Sequence, residues 1–272
     1  MSAVDRLGDR LRSAGARRER LLVLYLTVGD DLVDTRALAS AAAAAGVDAL
    51  ELGIPTPGTR PRGADLAASF QRALACPTER AFELIAEIRA DLPDLPLLAL
   101  AYPQTVADIG VRELPQLALG SGLDAVVLTD PGGPLGVNRV AAAGLSAIPL
   151  IPSYADPADQ CQWQSHAQHL TYRPLAERTG ERLDPAQATR SVAVAARTAT
   201  KPFLAGFGIR EGADIRAVSR YAAGVVIGSQ LYRELADVAE HSRVALAETT
   251  VRRWKSATVL ADTDSLEERD AH

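Results

Sequence analysis

A (β/α)8 barrel is predicted by three features of the 272-residue sequence. Eight short apolar runs of strand length recur along the chain. Helical stretches separate them. The pattern fills about 250 residues, the usual size of this fold.

The runs lie at 21–26, 48–52, 97–101, 124–129, 147–151, 169–172, 202–205 and 224–227. They are predominantly apolar, and 21–26 is continuously so, as parallel strands covered on both faces are. Helical stretches fall at about 32–45, 79–91, 111–120, 134–144, 157–166, 185–198, 211–221 and 231–254. An extra amphipathic helix at 3–18, with Val4, Leu7, Leu11 and Ala14 on one face, precedes the first strand. The competing architecture is a doubly wound open sheet, but no Gly-x-Gly-x-x-Gly follows the first strand. One barrel domain is expected over 1–258. The charged tail at 259–272 is expected either to be disordered or to extend the last helix.

Composition narrows the function. The chain is 47% hydrophobic and 23% charged, with a net charge of −5, and its arginines are scattered. It therefore lacks the basic patch of a nucleic-acid binder. No apolar run approaches the span of a bilayer, and the N-terminal stretch lacks the apolar core of a secretory signal. Cys76 and Cys161 form no disulfide framework, which fits a cytoplasmic protein. The cysteines and histidines show no metal-ligand spacing, so no metal is expected.

The second run, Asp48-Ala-Leu-Glu-Leu-Gly-Ile-Pro55, contains one ionisable group, Glu51, among apolar neighbours. A carboxyl there is costly unless it is paired, hydrogen-bonded or protonated. Glu51 is thus either a satisfied core residue or an acid/base group with a raised pKa. An internal echo bears on this choice. Gly46-Val-Asp-Ala-Leu-Glu-Leu52 resembles Gly122-Leu-Asp-Ala-Val-Val-Leu128, with Val127 in the register of Glu51. The scaffold accepts valine there, so packing alone does not demand the carboxyl.

Active sites of this fold sit at the C-terminal ends of the strands. Those ends carry Tyr25, Glu51, Tyr102, Asp130, Tyr172, the segment Gly206-Phe-Gly-Ile209, and Gly228-Ser229. Glycines after strands seven and eight, each before a helix N-terminus, suit a phosphate group, and Ser229 adds a hydroxyl. The competing reading is two ordinary strand-to-helix turns. Asp130 reads either as a pocket residue or as a turn residue before proline. The three tyrosines suggest a wall for a planar or apolar ligand, though each singly also fits core packing.

Leu50-Glu-Leu-Gly-Ile-Pro55, Leu26-Thr-Val-Gly-Asp30, Gly206-Phe-Gly-Ile209 and Gly228-Ser229 resemble the tryptophan synthase α subunit family, in order and at near-family spacing. The resemblance runs from about residue 3 to 255. It implies a TIM barrel that cleaves indole-3-glycerol phosphate to indole and glyceraldehyde 3-phosphate. The reaction is a retro-aldol cleavage without metal or organic cofactor. Glu51 matches the family's catalytic carboxyl, and Tyr172 the tyrosine beside it. Gly180, Gly208, Gly228 and Ser229 match its phosphate cradle. Tyr25, Leu100, Tyr102, Val127 and Asp130 fall at substrate-pocket positions. A β-type subunit is the partner implied.

Two stretches depart from the family pattern. In Pro55-Thr-Pro-Gly-Thr-Arg-Pro-Arg-Gly63, Arg62 takes the position of the family's second catalytic Asp. The same loop lacks an Asp-Pro pair that belongs to the β-subunit contact. An arginine disfavours a cation and favours an anionic group, so Arg62 is expected to contact an anionic substrate. Asp65 is the carboxylate that could turn inward instead. The segment Arg173-Pro-Leu-Ala-Glu-Arg-Thr179 also differs from the family's closing loop. Four functions remain open on sequence grounds. They are the lyase, a relative acting on another phosphorylated or anionic substrate, a non-catalytic ligand-binding or regulatory homologue, and, more distantly, another phosphate-binding barrel such as an isomerase or a phosphoribosyl enzyme.

Overall fold

The computed structural model describes residues 4–176 and 183–260. Eight strands alternate with helices. They are β1 (Leu21–Thr27), β2 (Ala49–Gly53), β3 (Leu97–Ala101), β4 (Ala125–Leu128), β5 (Ser146–Pro149), β6 (Thr171–Pro174), β7 (Phe203–Gly206) and β8 (Gly224–Ile227). All pair in parallel, in the order β5-β4-β3-β2-β1-β8-β7-β6. The ends meet at one bridge, Leu150 to Tyr172, where the Ile151 N–H donates to the Tyr172 carbonyl at 2.8 Å. The fold is a nearly closed (β/α)8 barrel, as the sequence predicts.

The continuous apolar runs have a direct physical cause. Alternate residues of each strand serve two cores. Leu21, Val23, Tyr25, Ala49, Leu98, Leu100, Val127, Ile148, Tyr172 and Leu204 fill the barrel interior. Leu22, Leu24, Leu26, Leu50, Leu52, Ala99, Val126 and Phe203 meet the surrounding helices.

Those helices begin with α1 (Arg6–Ala16), α2 (Thr35–Ala44), α3 (Ala64–Ala73), α4 (Thr78–Asp91), α5 (Pro103–Ile109) and α6 (Glu113–Gly120). They continue with α7 (Gly136–Ala142), α8 (Pro157–His166), α9 (Pro185–Thr198), α10 (Gly212–Ser219), α11 (Ser229–Ala236) and α12 (Arg243–Ser256). Leu7 and Ala14 of α1 join the interior cluster.

Three details differ from the sequence-based expectation. Helices α3 and α5 follow β2 and β3 where the sequence pattern assigns no helix. The first starts directly after the Pro- and Gly-rich loop and buries Leu66, Phe70 and Ala73 at helical spacing. The second has only 7 residues, too few to show a period. The expected helix at 231–254 is broken by a 3-10 turn at Glu240–Ser242.

The C-terminal stretch also departs from one expectation. Val259 bridges Glu19 and the Leu260 N–H donates to the Arg18 carbonyl at 3.0 Å, so α12 does not run on past Ser256. The expected disorder of the tail concerns residues 261–272, which lie outside the described residues. No helix among the described residues is long and apolar enough to cross a membrane.

The internal echo is an anchoring device. Gly46 and Gly122 both adopt positive φ, 92° and 83°, and end the preceding helices. Asp48 and Asp124 then each accept a backbone N–H from the neighbouring strand, Leu22 at 2.8 Å and Leu97 at 2.9 Å. A cation from a helix completes each site, Lys255 at 2.7 Å for Asp48 and Arg89 at 2.6 Å for Asp124.

Helix α9 starts at a capping box. The Asp184 carboxylate accepts from the Gln187 N–H at 2.8 Å, and the Gln187 side chain accepts from the Asp184 N–H at 3.1 Å. Asp184→Ala is expected to cost about 1 kcal/mol, read as a lower urea midpoint.

Candidate active site

A pocket opens at the C-terminal end of the barrel. The strand interiors contribute Tyr25, Glu51, Leu100, Leu150, Tyr172 and Val226. The loops and helix starts above them contribute Leu66, Tyr102, Thr129, Phe207 to Arg210, and Ile227 to Gln230.

Glu51 lies on β2 between Tyr25 of β1 and Leu98 of β3. It is only 3% exposed, and its Oε1 has no hydrogen-bond partner. Among the described residues no cation lies against it to offset the lost hydration. Burial therefore pushes the Glu51 carboxyl up to about 8, and it stands protonated at neutral pH.

The tyrosines surround this group. Tyr25 and Tyr172 are both 2% exposed. Burial raises both phenols well above their ordinary value, and the negative charge of an ionised Glu51 would raise each further. Two glycines make room for them. A Cβ on Gly53 would stand 2.0 Å from the Tyr25 hydroxyl oxygen, and one on Gly206 would stand 1.9 Å from that of Tyr172. Tyr102 packs edge-on against Phe70, with ring centroids 6.1 Å apart. Tyr172 faces Phe207 at 6.0 Å.

Phe207 is held at φ 68°, followed by Gly208 at φ 85°. A left-handed phenylalanine costs about 1–3 kcal/mol and persists only where its surroundings impose it. At α10 the Asp214 carboxylate accepts from the Arg210 and Glu211 N–H groups, each at 3.0 Å, and so occupies that helix start. Helix α11 is different. Its first N–H groups, at Ser229 and Gln230, have no intrahelical acceptor and lie at the pocket. Of the two turns, the one at α11 offers the better anion cradle.

The structure thus brings Tyr25, Glu51, Leu100, Tyr102, Tyr172, Gly208, Gly228 and Ser229 to one pocket. It does not bring Arg62, Val127 or Asp130 there. Arg62 is exposed. Its loop is pinned elsewhere, by hydrogen bonds between the hydroxyls of Thr56 and Thr59 at 2.7 Å and of Thr59 and Thr105 at 2.8 Å. The Gly58 N–H also donates to Asp108 at 2.7 Å. Asp65 is paired with Arg233 of α11 and is not part of the pocket lining. Val127 is fully buried in the barrel interior, outside the pocket lining. Asp130 is exposed and forms a turn, its carbonyl accepting from the Gly133 N–H at 3.1 Å. Gly180 lies outside the described residues.

Sequence reasoning does not single out Leu66, Thr129, Leu150, Arg210 or Gln230. Arg210 and Gln230 directly follow the two glycine motifs, and that adjacency was the available signal. Leu66 belongs to the unassigned helix α3.

Comparison with known proteins agrees with this geometry. The family model for the tryptophan synthase alpha chain matches residues 11–259. The alpha chain of Xanthomonas axonopodis pv. citri is 30% identical over 247 residues, covering 88% of this chain and 91% of that one. That of Psychrobacter sp. is 27% identical over 262 residues, covering 91% and 94%. Among solved structures, the Legionella pneumophila alpha chain superposes with a TM-score of 0.81 at 22% identity, covering 94% of this chain and 98% of that one. Mycobacterium tuberculosis tryptophan synthase gives 0.80 at 20%, covering 95% and 100%. The chain belongs to the tryptophan synthase alpha chain family, a family of lyases.

Proposed function

We propose that the protein cleaves indole-3-glycerol phosphate, or a closely related phosphorylated substrate, by a retro-aldol reaction with Glu51 as the acid/base group. The observation that carries this reading is the buried Glu51 carboxyl, neutral near pH 7 and with Oε1 unpartnered, inside an aromatic- and aliphatic-lined pocket. A group that is protonated near pH 7 and has an ionised form within reach is suited to giving and taking a proton.

In this reading Glu51 gives its proton to C3 of the indole ring. The resulting carboxylate takes the proton of the hydroxyl on the adjoining carbon. The carbon–carbon bond breaks, its electron pair stays with the ring, and the hydroxyl carbon becomes the aldehyde of glyceraldehyde 3-phosphate. Leu100, Leu150, Tyr102 and Tyr172 supply a wall for the indole. Tyr172 also keeps water from the carboxyl. The phosphate sits at the start of α11, on Gly208, Gly228 and Ser229.

The reading includes a β-type subunit as partner. The β2–α3 loop it would meet lacks the family's Asp-Pro pair, so a weaker complex is expected by size-exclusion chromatography.

The test is release of indole and glyceraldehyde 3-phosphate from indole-3-glycerol phosphate by the purified protein. No release at any pH between 6 and 9 would sink the proposal. Ser229→Ala is expected to raise KM several-fold with little change in kcat, because it removes one donor to a group remote from the bond being broken.

A further inference from the structure

Among the described residues the pocket lining holds one acidic residue, Glu51, and burial keeps that carboxyl neutral near pH 7. A neutral carboxyl is a weaker acceptor than a carboxylate, and the function proposed above commits it to carbon 3 of the ring, so a ring N–H inside the pocket calls for an acceptor of its own, because a buried donor left unpaired is costly.

The hydrogen bonds around Tyr25 assign the direction of each proton. The Ser69 hydroxyl donates to the Leu66 carbonyl at 2.9 Å. Its one proton is thereby used, so in its 2.7 Å contact with Thr27 it accepts. The Thr27 proton is thus also used, and in its 3.1 Å contact with Tyr25 the Thr27 oxygen accepts. The Tyr25 proton points away along this relay, into the barrel wall. The phenolic oxygen keeps its acceptor capacity, and Glu51 does not take it. Close packing over Gly53 fixes the oxygen at the end of β2, the strand that carries Glu51.

We propose that Tyr25 is a specificity-determining residue whose oxygen accepts a hydrogen bond from a ring N–H donor of the ligand. It supplies a neutral acceptor in a pocket whose described lining has no carboxylate besides Glu51. This inference rests on the function proposed above and adds what the site selects, an aromatic ring bearing a donor. Burial keeps the phenol un-ionised at any working pH, so the acceptor is neutral throughout.

The test uses two non-cleavable ligands of equal shape, indolylpropyl phosphate and benzofuranylpropyl phosphate. The second replaces the ring N–H by an oxygen. Calorimetry on the full-length protein is expected to show the indole ligand binding about tenfold tighter. Tyr25→Phe is expected to bind both equally. Thr27→Val interrupts the relay and is expected to narrow the preference, while Ser229→Ala weakens both ligands alike and leaves it intact. A purely structural role for Tyr25 would not move the ratio between the ligands. Equal binding by the wild type, or an unchanged preference in Tyr25→Phe, overturns this inference and leaves the proposed function standing. If neither ligand binds the wild type, the proposed function falls and this inference with it.

Discussion

Glu51→Gln is expected to lower kcat by roughly a thousandfold, the scale of a lost general acid/base group. KM should stay within a few-fold, because the amide keeps the shape of the carboxyl and only the transferable proton is lost. The pH profile of the unmodified protein should carry the same signature. In the proposed mechanism Glu51 holds the proton destined for the ring below about 8, so kcat/KM should fall as pH rises through that value. A profile flat from 6 to 10, or a Gln variant of undiminished kcat, would remove Glu51 from the mechanism.

The second large effect is on stability, and it has the opposite sign. Glu51 ionises near 4.5 in an unstructured chain and near 8 in the fold. Between those values the native state binds more protons than the unfolded one, so stability falls as pH rises across the window. Below about 4.5 both states carry the neutral acid and there is no penalty. Above about 8 both are ionised and the full penalty applies. Glu51→Gln removes this dependence. The variant should gain little at pH 4 and on the order of 3–5 kcal/mol at pH 9, measured as the difference in urea unfolding free energy. In the proposed function Glu51 thus trades stability for turnover, as active-site residues commonly do.

Much of this was legible in the sequence, for identifiable reasons. A strand buried on both faces has to read as a continuous apolar run, so all eight appear in the sequence to within about two residues. Glu51 stands out because it interrupts such a run. The Gly-Asp echo is visible because both copies make the same contacts, a backbone N–H and a helix cation.

What the sequence does not carry is tertiary. The family resemblance puts Arg62 at the position of a catalytic carboxylate, but the course of its loop depends on Thr105 and Asp108. They lie 46 and 50 residues from their partners in the loop. Asp65 is committed to Arg233, 168 residues away. No local pattern records such pairings. Asp130 had two readings in sequence, and the structure supports the turn. The donor direction at Tyr25 likewise depends on Ser69, 42 residues from Thr27, on a helix that the sequence pattern leaves unassigned.

The most direct measurement is the titration of the Glu51 carboxyl itself, by carbon NMR on protein labelled at glutamate, with Glu51→Gln identifying the resonance. A carboxyl that is protonated at pH 6 and titrates with a midpoint near 8 is the predicted result. A Glu51 already ionised at pH 6, with a midpoint in the ordinary carboxylate range, would contradict the account.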